Sequence, residues 1–287
     1  MDAAAIIEAI DMISVALIVA AIGLQSRFGL GLAFVRARPA GATRSMLAMF
    51  VAMPAFVLLA TWILPLERPV ALALLALSVS PMPPHIAVEE KEIGGTKGYI
   101  AGTLLLAPLV ALIAIPMFIG LAGRVFGRPV NHDPVAVLQV LVVTLGAPLL
   151  IGMLINRFAP TAAARLVRPC KLLGTGLLVI VAITVLIVAF PAVRNAVGNG
   201  TLLVIVAIAA FGLLAGHLAG GPHSGNRRAL ALICSQRHPG VAMAIAVAAF
   251  PDDAQATLGA VVLYLVVSAL IAVPYARWAA GAPERQS

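Results

Sequence analysis

Charged residues are scarce in this sequence, and their scarcity argues against a soluble fold. Asp, Glu, Lys and Arg make up 10% of the 287 residues, whereas soluble globular domains contain about 25%. A further 62% of the residues are hydrophobic. The deficit of charge extends along the whole chain, and only residues 281–287 have the composition of a solvated tail. We therefore expect a single all-α membrane domain over residues 1–287, with no separate water-soluble domain.

Cysteine is equally scarce, and so are the motifs of enzymes. The two cysteines are Cys170, beside a basic segment, and Cys234, inside an apolar run. Their spacing indicates neither a disulfide framework nor a zinc site. No metal motif and no pairing of a nucleophile with a base is present in the sequence. The sequence therefore predicts no enzyme, no metal and no organic cofactor.

The net charge of +8 raises the alternative of a nucleic-acid partner. The basic residues, however, fall in short segments between apolar runs, which is the pattern that orients a membrane protein. We expect a lipid bilayer, not nucleic acid, as the partner of this chain. The first apolar run has no basic segment before it and contains Glu8 and Asp11, so it is interpreted as a retained helix rather than a signal peptide.

Nine apolar runs approach the roughly 20 residues that a helix needs to cross a bilayer. They cover residues 4–25, 45–65, 69–88, 98–122, 135–156, 172–193, 201–219, 228–250 and 255–277. The connections contain helix breakers such as Arg38-Pro39, Gly94-Gly95, Arg128-Pro129, Gly220-Gly221-Pro222 and Pro251-Asp252-Asp253.

The distribution of basic residues predicts the orientation of these spans. With the amino terminus outside, fourteen basic residues lie in cytoplasmic segments and four in external ones. An error of one span would invert every later loop and destroy this bias. The positive-inside rule therefore favours nine spans with a cytoplasmic carboxyl terminus, and we expect an integral protein of a bacterial inner (plasma) membrane.

Two of the nine runs cannot be continuous helices. Residues 80–85 read Ser-Pro-Met-Pro-Pro-His, and residues 237–240 read Arg-His-Pro-Gly. Proline lacks the backbone donor and clashes with the preceding turn. Single prolines such as Pro54 and Pro148 are expected to be ordinary kinks. Paired broken helices in corresponding positions of two halves indicate a transporter binding site, and here the halves are residues 1–125 and 130–280.

These features resemble the bile acid:sodium symporter family and its wider group of organic-anion and arsenite carriers. The resemblance rests on Arg38-Pro39, residues 44–50 (RSMLAMF), Ser80-Pro81, Gly94-Gly95 and residues 237–240. It implies a ten-helix inverted repeat with a panel domain, a core domain and two crossed, broken helices. This chain resembles a version that lacks the first helix.

The chain departs from the family at its sodium sites. When the family's proline is placed on Pro81, Ile86 and Ala87 stand where sodium-coupled members have a Ser-Asn pair. Ile233 stands where they have a glutamate. These three side chains offer no oxygen ligand, so sodium coupling through the usual sites is not expected. The other coupling modes are sodium at unusual sites, protons, and no coupling ion.

Arg237 is the most informative single residue, because an arginine inside a membrane span must face the protein interior and be paired. Three roles stay open from the sequence. It binds a substrate carboxylate through its planar fork of donors, or it replaces a bound cation, or it ties helices together through Asp11, Glu8 or exposed carbonyls.

The other candidate binding residues lie beside Arg237 or in the first break. They are Ser80, Pro81, His85, Ser235, Gln236 and His238. The histidines either cap freed carbonyls or relay protons, and the remaining polar side chains either bind a solute or satisfy unwound backbone. The predicted function is a secondary transporter of small organic anions. The alternatives are a metalloid carrier using Cys234 and a non-transporting membrane scaffold or sensor.

Overall fold

The structure is a computed structural model that describes residues 3–82, 98–125, 139, 142–188, 190–196, 200–249 and 254–280. The described structure is 90% helix and contains no strand. The prediction of an all-α chain is confirmed at this level.

Twelve helices can be followed through these residues, two of them with a short π-helical stretch. They are α1 (Ala3–Gln25), α2 (Leu30–Ala37), α3 (Pro39–Ile63, with its π turn at Ala48–Ala52), α4 (Arg68–Val79), α5 (Tyr99–Val125), α6 (Val142–Phe158, with its π turn at Val142–Gly146), α7 (Pro160–Val188), α8 (Phe190–Ala196), α9 (Thr201–Ala219), α10 (Ser224–Ser235), α11 (Pro239–Ala249) and α12 (Ala254–Ala280).

Four helices are long and apolar enough to cross a membrane, within the part of the chain that the structure describes. They are Pro39–Ile63, Tyr99–Phe118, Thr201–Ala219 and Thr257–Ala279. Their exposed large side chains are Leu, Ile, Val, Met and Trp, which are favourable in contact with lipid and unfavourable in contact with water. The length and composition of these helices indicate an integral membrane protein, and they coincide with the second, fourth, seventh and ninth predicted spans.

The sixth predicted span differs from the sequence expectation at its start. The pattern placed it at residues 172–193, whereas α7 begins at Pro160 and ends at Val188. Arg165 and Arg168 therefore lie on an exposed helical surface rather than in a loop. The physical reason is that a helix satisfies its own backbone wherever it runs, so it continues beyond the apolar stretch that the hydropathy pattern detects.

The helices pack most extensively within two groups. In the first, α1 packs against α6 and α7 through glycines that allow close approach. A Cβ added to Gly23 would collide with the carbonyl of Leu149, and one added to Gly152 would collide with that of Ala20. Small residues at such positions are typical of helices that associate in membranes.

The second group surrounds α4, whose residues from Val70 to Val79 are all buried. Its neighbours are α3, α11 and α12, and a helix that is apolar and buried on every side forms the centre of a core. On the other side of the group, α9 packs along α10. Gly212 and Gly216 on α9 and Gly220 directly after its end are spaced four residues apart, and each would meet the backbone of α10 if it carried a Cβ.

Candidate functional site

The first predicted break begins where α4 ends. Ser80 is extended, with ψ 143°, and Pro81 and Met82 are not helical. Pro81 has no N–H to donate to Leu77 one turn earlier. Ser80 replaces that donor, because both its N–H (3.1 Å) and its hydroxyl (2.9 Å) donate to the Leu77 carbonyl. Pro83, Pro84 and His85, the rest of the predicted break, lie outside the described residues.

The second break separates α10 from α11. Helix α10 ends at Ser235, Gln236 is extended (φ −102°, ψ 129°), and Arg237 and His238 are also non-helical. The predicted break at residues 237–240 is therefore wrong at its far end, because Pro239 and Gly240 belong to α11. A proline suits the first position of a helix, where its missing N–H would have no intrahelical partner.

Side chains satisfy the backbone groups that the second break sets free. The Tyr264 hydroxyl on α12 donates to the Ser235 carbonyl at 2.7 Å. The ring nitrogen Nδ1 of His238 accepts the Val241 N–H at 3.3 Å, in the manner of a helix N-cap. Capping of carbonyls was one of the two roles that the sequence left open for this histidine, whereas here its ring nitrogen accepts an N–H. An accepting Nδ1 requires that its lone pair be unprotonated.

The two breaks are in direct contact. The His238 N–H points at both the Pro81 carbonyl and the Ser80 hydroxyl oxygen, each at 3.1 Å. Arg237 Nη1 donates to the Ser80 carbonyl at 3.1 Å. Donors of the second break therefore satisfy acceptors of the first, and the crossing is held by hydrogen bonds between residues that are 157 and 158 positions apart in sequence.

A third segment joins the crossing through the π turn of α3. Arg237 Nη2 donates to the Met49 carbonyl at 3.1 Å. Two features of the chain free this carbonyl. The Met53 N–H, its normal α-helical donor, bonds to Ala48 instead, and the next residue, Pro54, has no N–H. The single guanidinium therefore ties α3, α4 and the α10–α11 break together.

Arg237 is fully buried at the centre of this junction, with 0% of its surface exposed. An arginine has five N–H donors. Nη1 and Nη2 each donate to a carbonyl, while Nε has no hydrogen-bond partner among the described residues. A buried donor on a charged group is costly when it has no acceptor, so Nε can take an additional hydrogen-bond acceptor.

Asp11 on α1 lies next to the same junction. A Cβ added to Gly240 would lie 3.0 Å from Asp11 Oδ2, which places the carboxylate at the first turn of α11. Negative charge is stabilised at a helix amino terminus. Arg237 takes carbonyls as its hydrogen-bond partners, as one of the three sequence interpretations proposed. The side chain of Glu8 lies outside the described residues.

The structure thus brings together four of the predicted site residues: Ser80, Pro81, Arg237 and His238. The Ser235 hydroxyl instead donates to Leu232 of its own helix at 3.2 Å, and Gln236 is half-buried beside Arg237. Cys234 is fully buried. Its main-chain carbonyl faces Gly212 at the α9–α10 contact.

Sequence reasoning missed two participants, Met49 and Tyr264. Met49 contributes only a main-chain carbonyl, which no residue-type pattern reveals. The one available signal was Pro54, whose missing N–H lies five positions later, at the spacing of a π turn. Tyr264 lies in a run of apolar residues, and nothing in its neighbourhood distinguishes it from a packing residue.

Comparisons with models of protein families and with curated proteins found no match.

Proposed function

We propose that this chain is a secondary membrane transporter of small organic anions, with the transported solute bound at the crossing of the two broken helices. In this proposal nine spans, with an external amino terminus, form an inverted repeat like that of the bile acid:sodium symporter family. Alternating access is a movement of the α1 group against the group around α4. The crossing is the fixed point at which the solute is held.

The observation that carries the proposal is the environment of Arg237. Two carbonyls accept from its terminal nitrogens, but carbonyls bear only partial charge and leave the guanidinium without a full counter-ion at these contacts. Nε is a remaining donor without a partner among the described residues. A carboxylate or sulfonate would accept from Nε and bring a full negative charge to the guanidinium. Arg is suited to such anions because its donors form a rigid, planar fork.

Contacts between helix ends support the alternating course of the spans. Each contact joins ends that the count of basic residues assigns to the cytoplasmic side. The Asn156 side chain donates to the Ser26 carbonyl at 3.1 Å, the Ser45 and Tyr99 hydroxyls lie 2.8 Å apart, and the His217 ring and the Tyr275 hydroxyl lie 2.7 Å apart.

The same geometry favours transport without a coupling cation at this crossing. Freed main-chain carbonyls are ligands that a bound alkali ion would need, and here the Ser80 and Met49 carbonyls are taken by a fixed guanidinium. Arg237 therefore serves as a built-in cation in this proposal. His238 is engaged as the cap of α11, which favours a structural role over a proton relay.

The proposal is tested by ligand-dependent stability followed by transport. Purified protein in detergent is melted with a library of small carboxylates, sulfonates, neutral solutes and amines, in sodium and in potassium chloride of equal ionic strength. A ligand at 100 times its dissociation constant stabilises by about 2.7 kcal/mol. We expect anions alone to raise the melting temperature, equally in both salts, and the same anions to be taken up by proteoliposomes.

Two variants make this experiment specific. Arg237→Gln should abolish the response to anions, whereas Arg165→Gln on the exposed surface of α7 should keep it. Stabilisation by amines or neutral solutes alone would overturn the anion assignment. Anion binding without uptake would favour a scaffold or sensor. A rise in melting temperature in sodium chloride but not in potassium chloride would overturn the role of Arg237 as a built-in cation.

A further inference from the structure

A large apolar groove runs between α3 and α5, outside the crossing of the broken helices. Its volume is about 1070 Å³. Its lining is almost wholly aliphatic, methionine and phenylalanine side chains, and Thr43 is the one hydroxyl among the described lining residues.

The groove opens sideways, toward the position of the lipid. On α5 the lining residues Leu109, Ile113 and Met117 follow one another at intervals of four residues and are 58%, 67% and 71% exposed. On α3, Leu47 and Val51 have the same spacing and are also exposed. Residues four apart share one helix face, and both helices are long enough to cross a membrane. The open face is therefore turned toward hydrocarbon.

One end of the groove is basic. Val35 and Thr43 line that end, and three exposed arginines, Arg36, Arg38 and Arg44, lie within three positions of one of them in the chain. The two walls are joined near this end, where the Ser45 and Tyr99 hydroxyls lie 2.8 Å apart. The charge count assigns the same end to the cytoplasmic side.

We propose that this groove binds one anionic phospholipid, with an acyl chain along α5 and the phosphate at the three arginines. The lined part of α5, from Leu106 to Gly120, is roughly 21 Å long at the rise of an α-helix. Half of a bilayer's hydrocarbon core is about 15 Å, so one acyl chain fits within it. Basic clusters at the cytoplasmic ends of membrane helices are typical sites for anionic headgroups.

The charge at the end of the groove favours a lipid over a second copy of the chain. Two copies that shared this groove around an axis normal to the membrane would present the same surface to each other. Their arginines would then meet at the same membrane depth, where like charges repel. A phospholipid instead supplies apolar surface to the walls and negative charge to the arginines.

The inference is independent of transport and is tested by lipid binding alone. The full chain is titrated in detergent with phosphatidylglycerol or phosphatidylcholine of identical acyl chains, and bound lipid is counted by native mass spectrometry. We expect one tightly bound phosphatidylglycerol and no equivalent phosphatidylcholine. Replacing Arg36, Arg38 and Arg44 by Gln should weaken binding on the order of a hundredfold, since each basic residue near the surface contributes about 1 kcal/mol.

Matched variants separate this site from general adhesion of lipid. Arg157, Arg165 and Arg168 are exposed on the α1 group, and their replacement by Gln should leave binding unchanged. Ile113→Trp should fill the groove and expel the lipid, whereas Leu214→Trp, on the exposed side of α9, should not. If the triple Gln variant fails to fold, Arg36→Gln and Ile113→Trp still decide the question.

Three results would overturn the proposal. Equal binding of the two lipids would show that the arginines do not select an anionic headgroup. Equal lipid binding by Ile113→Trp and Leu214→Trp would show that the lipid does not bind in the groove. A dimer that forms in detergent and is broken by Ile113→Trp would show that a second copy occupies this surface.

Discussion

Arg237 joins three segments because its charge has to be compensated inside the protein. A buried guanidinium loses its hydration, and this loss costs several kcal/mol unless acceptors replace the water. The Ser80 and Met49 carbonyls provide two acceptors, each of which would otherwise be a buried, unsatisfied group as well. Removing the guanidinium therefore destabilises the protein in two ways. The contacts of the arginine are lost, and two buried carbonyls lose their donor.

The first prediction follows from this double role. Arg237→Ala should lower the stability of the protein without ligand by about 2–5 kcal/mol, because two buried carbonyls lose a charged donor. It should also abolish anion binding. Arg237→Lys should recover part of the stability but little of the affinity, since lysine keeps the charge and loses the fork of donors. Melting temperature and anion affinity are measured on the same samples.

The paired measurement separates the possible roles of Arg237. Lower stability with normal anion affinity would show that Arg237 only connects the helices and that the solute binds at another site. Normal stability with lost affinity would make it a ligand of the solute alone. Wild-type values for both in Arg237→Ala would contradict the crossing as the site.

Tyr264 gives a second prediction at the scale of one residue. Its hydroxyl donates to the Ser235 carbonyl at the end of α10, and both residues are buried. Tyr264→Phe should cost about 1–3 kcal/mol, the range for leaving a buried acceptor unpaired. Tyr275→Phe is the matched control: it also removes a hydrogen bond, to His217 at 2.7 Å, but Tyr275 is only half-buried and water can replace the partner. Thermal unfolding in detergent compares the two variants, and equal losses would contradict this account.

At the scale of whole elements, the sequence predicted the positions of the two helix breaks but not the contacts that form at them. Prolines and the clustering of polar residues placed the ends of α4 and α10 within one residue, because the absence of a backbone N–H is a local property of the chain. The contacts of Arg237 could not be predicted in this way. They depend on a π turn in α3, and the competition between Ala48 and Met49 for the Met53 N–H is decided by packing rather than by residue type.

The contact of α9 with α10 gives the third prediction. A Cβ added to Gly216 would lie 2.5 Å from the Cα of Ala231, which no rotamer can relieve because the obstacle is backbone. Gly216→Ala should therefore separate the helices and cost about 1–3 kcal/mol, as overpacking of a tight core does. Since α10 leads directly into the break at Arg237, anion affinity should fall with stability.

A matched glycine in another helix controls for helix propensity. Gly176 on α7 has no atom within 4 Å of an added Cβ. Gly176→Ala should be neutral or stabilising by up to about 1 kcal/mol, the preference of a helix for alanine. If Gly216→Ala and Gly176→Ala have the same melting temperature, the α9–α10 packing does not depend on the glycines of α9.

At the scale of the molecule, helix lengths and end contacts constrain the course of the chain. Helix α3 has 25 residues and is therefore about 37 Å long, which exceeds the roughly 30 Å of hydrocarbon. In the proposed topology, the connection after α3 and the start of α3 then lie on opposite sides of the membrane. Arg44 near the start of α3 approaches Gly221, since a Cβ added there would lie 3.3 Å from its Nη2. The α9–α10 connection consequently shares a side with the start of α3.

The last prediction uses this geometry to test the orientation. Pro65 and Pro222 are exposed prolines in two short connections, one beyond the end of α3 and the other in the α9–α10 connection. In a Cys170→Ser background, which keeps the buried Cys234, each proline is replaced by cysteine. We expect a membrane-impermeant maleimide to label Pro65→Cys in intact cells and Pro222→Cys only after permeabilisation, because the positive-inside rule puts the basic segments in the cytoplasm. The reverse pattern would keep the fold and invert its orientation. Labelling of both positions from one side would contradict a membrane-spanning α3 and, with it, the nine-span transporter.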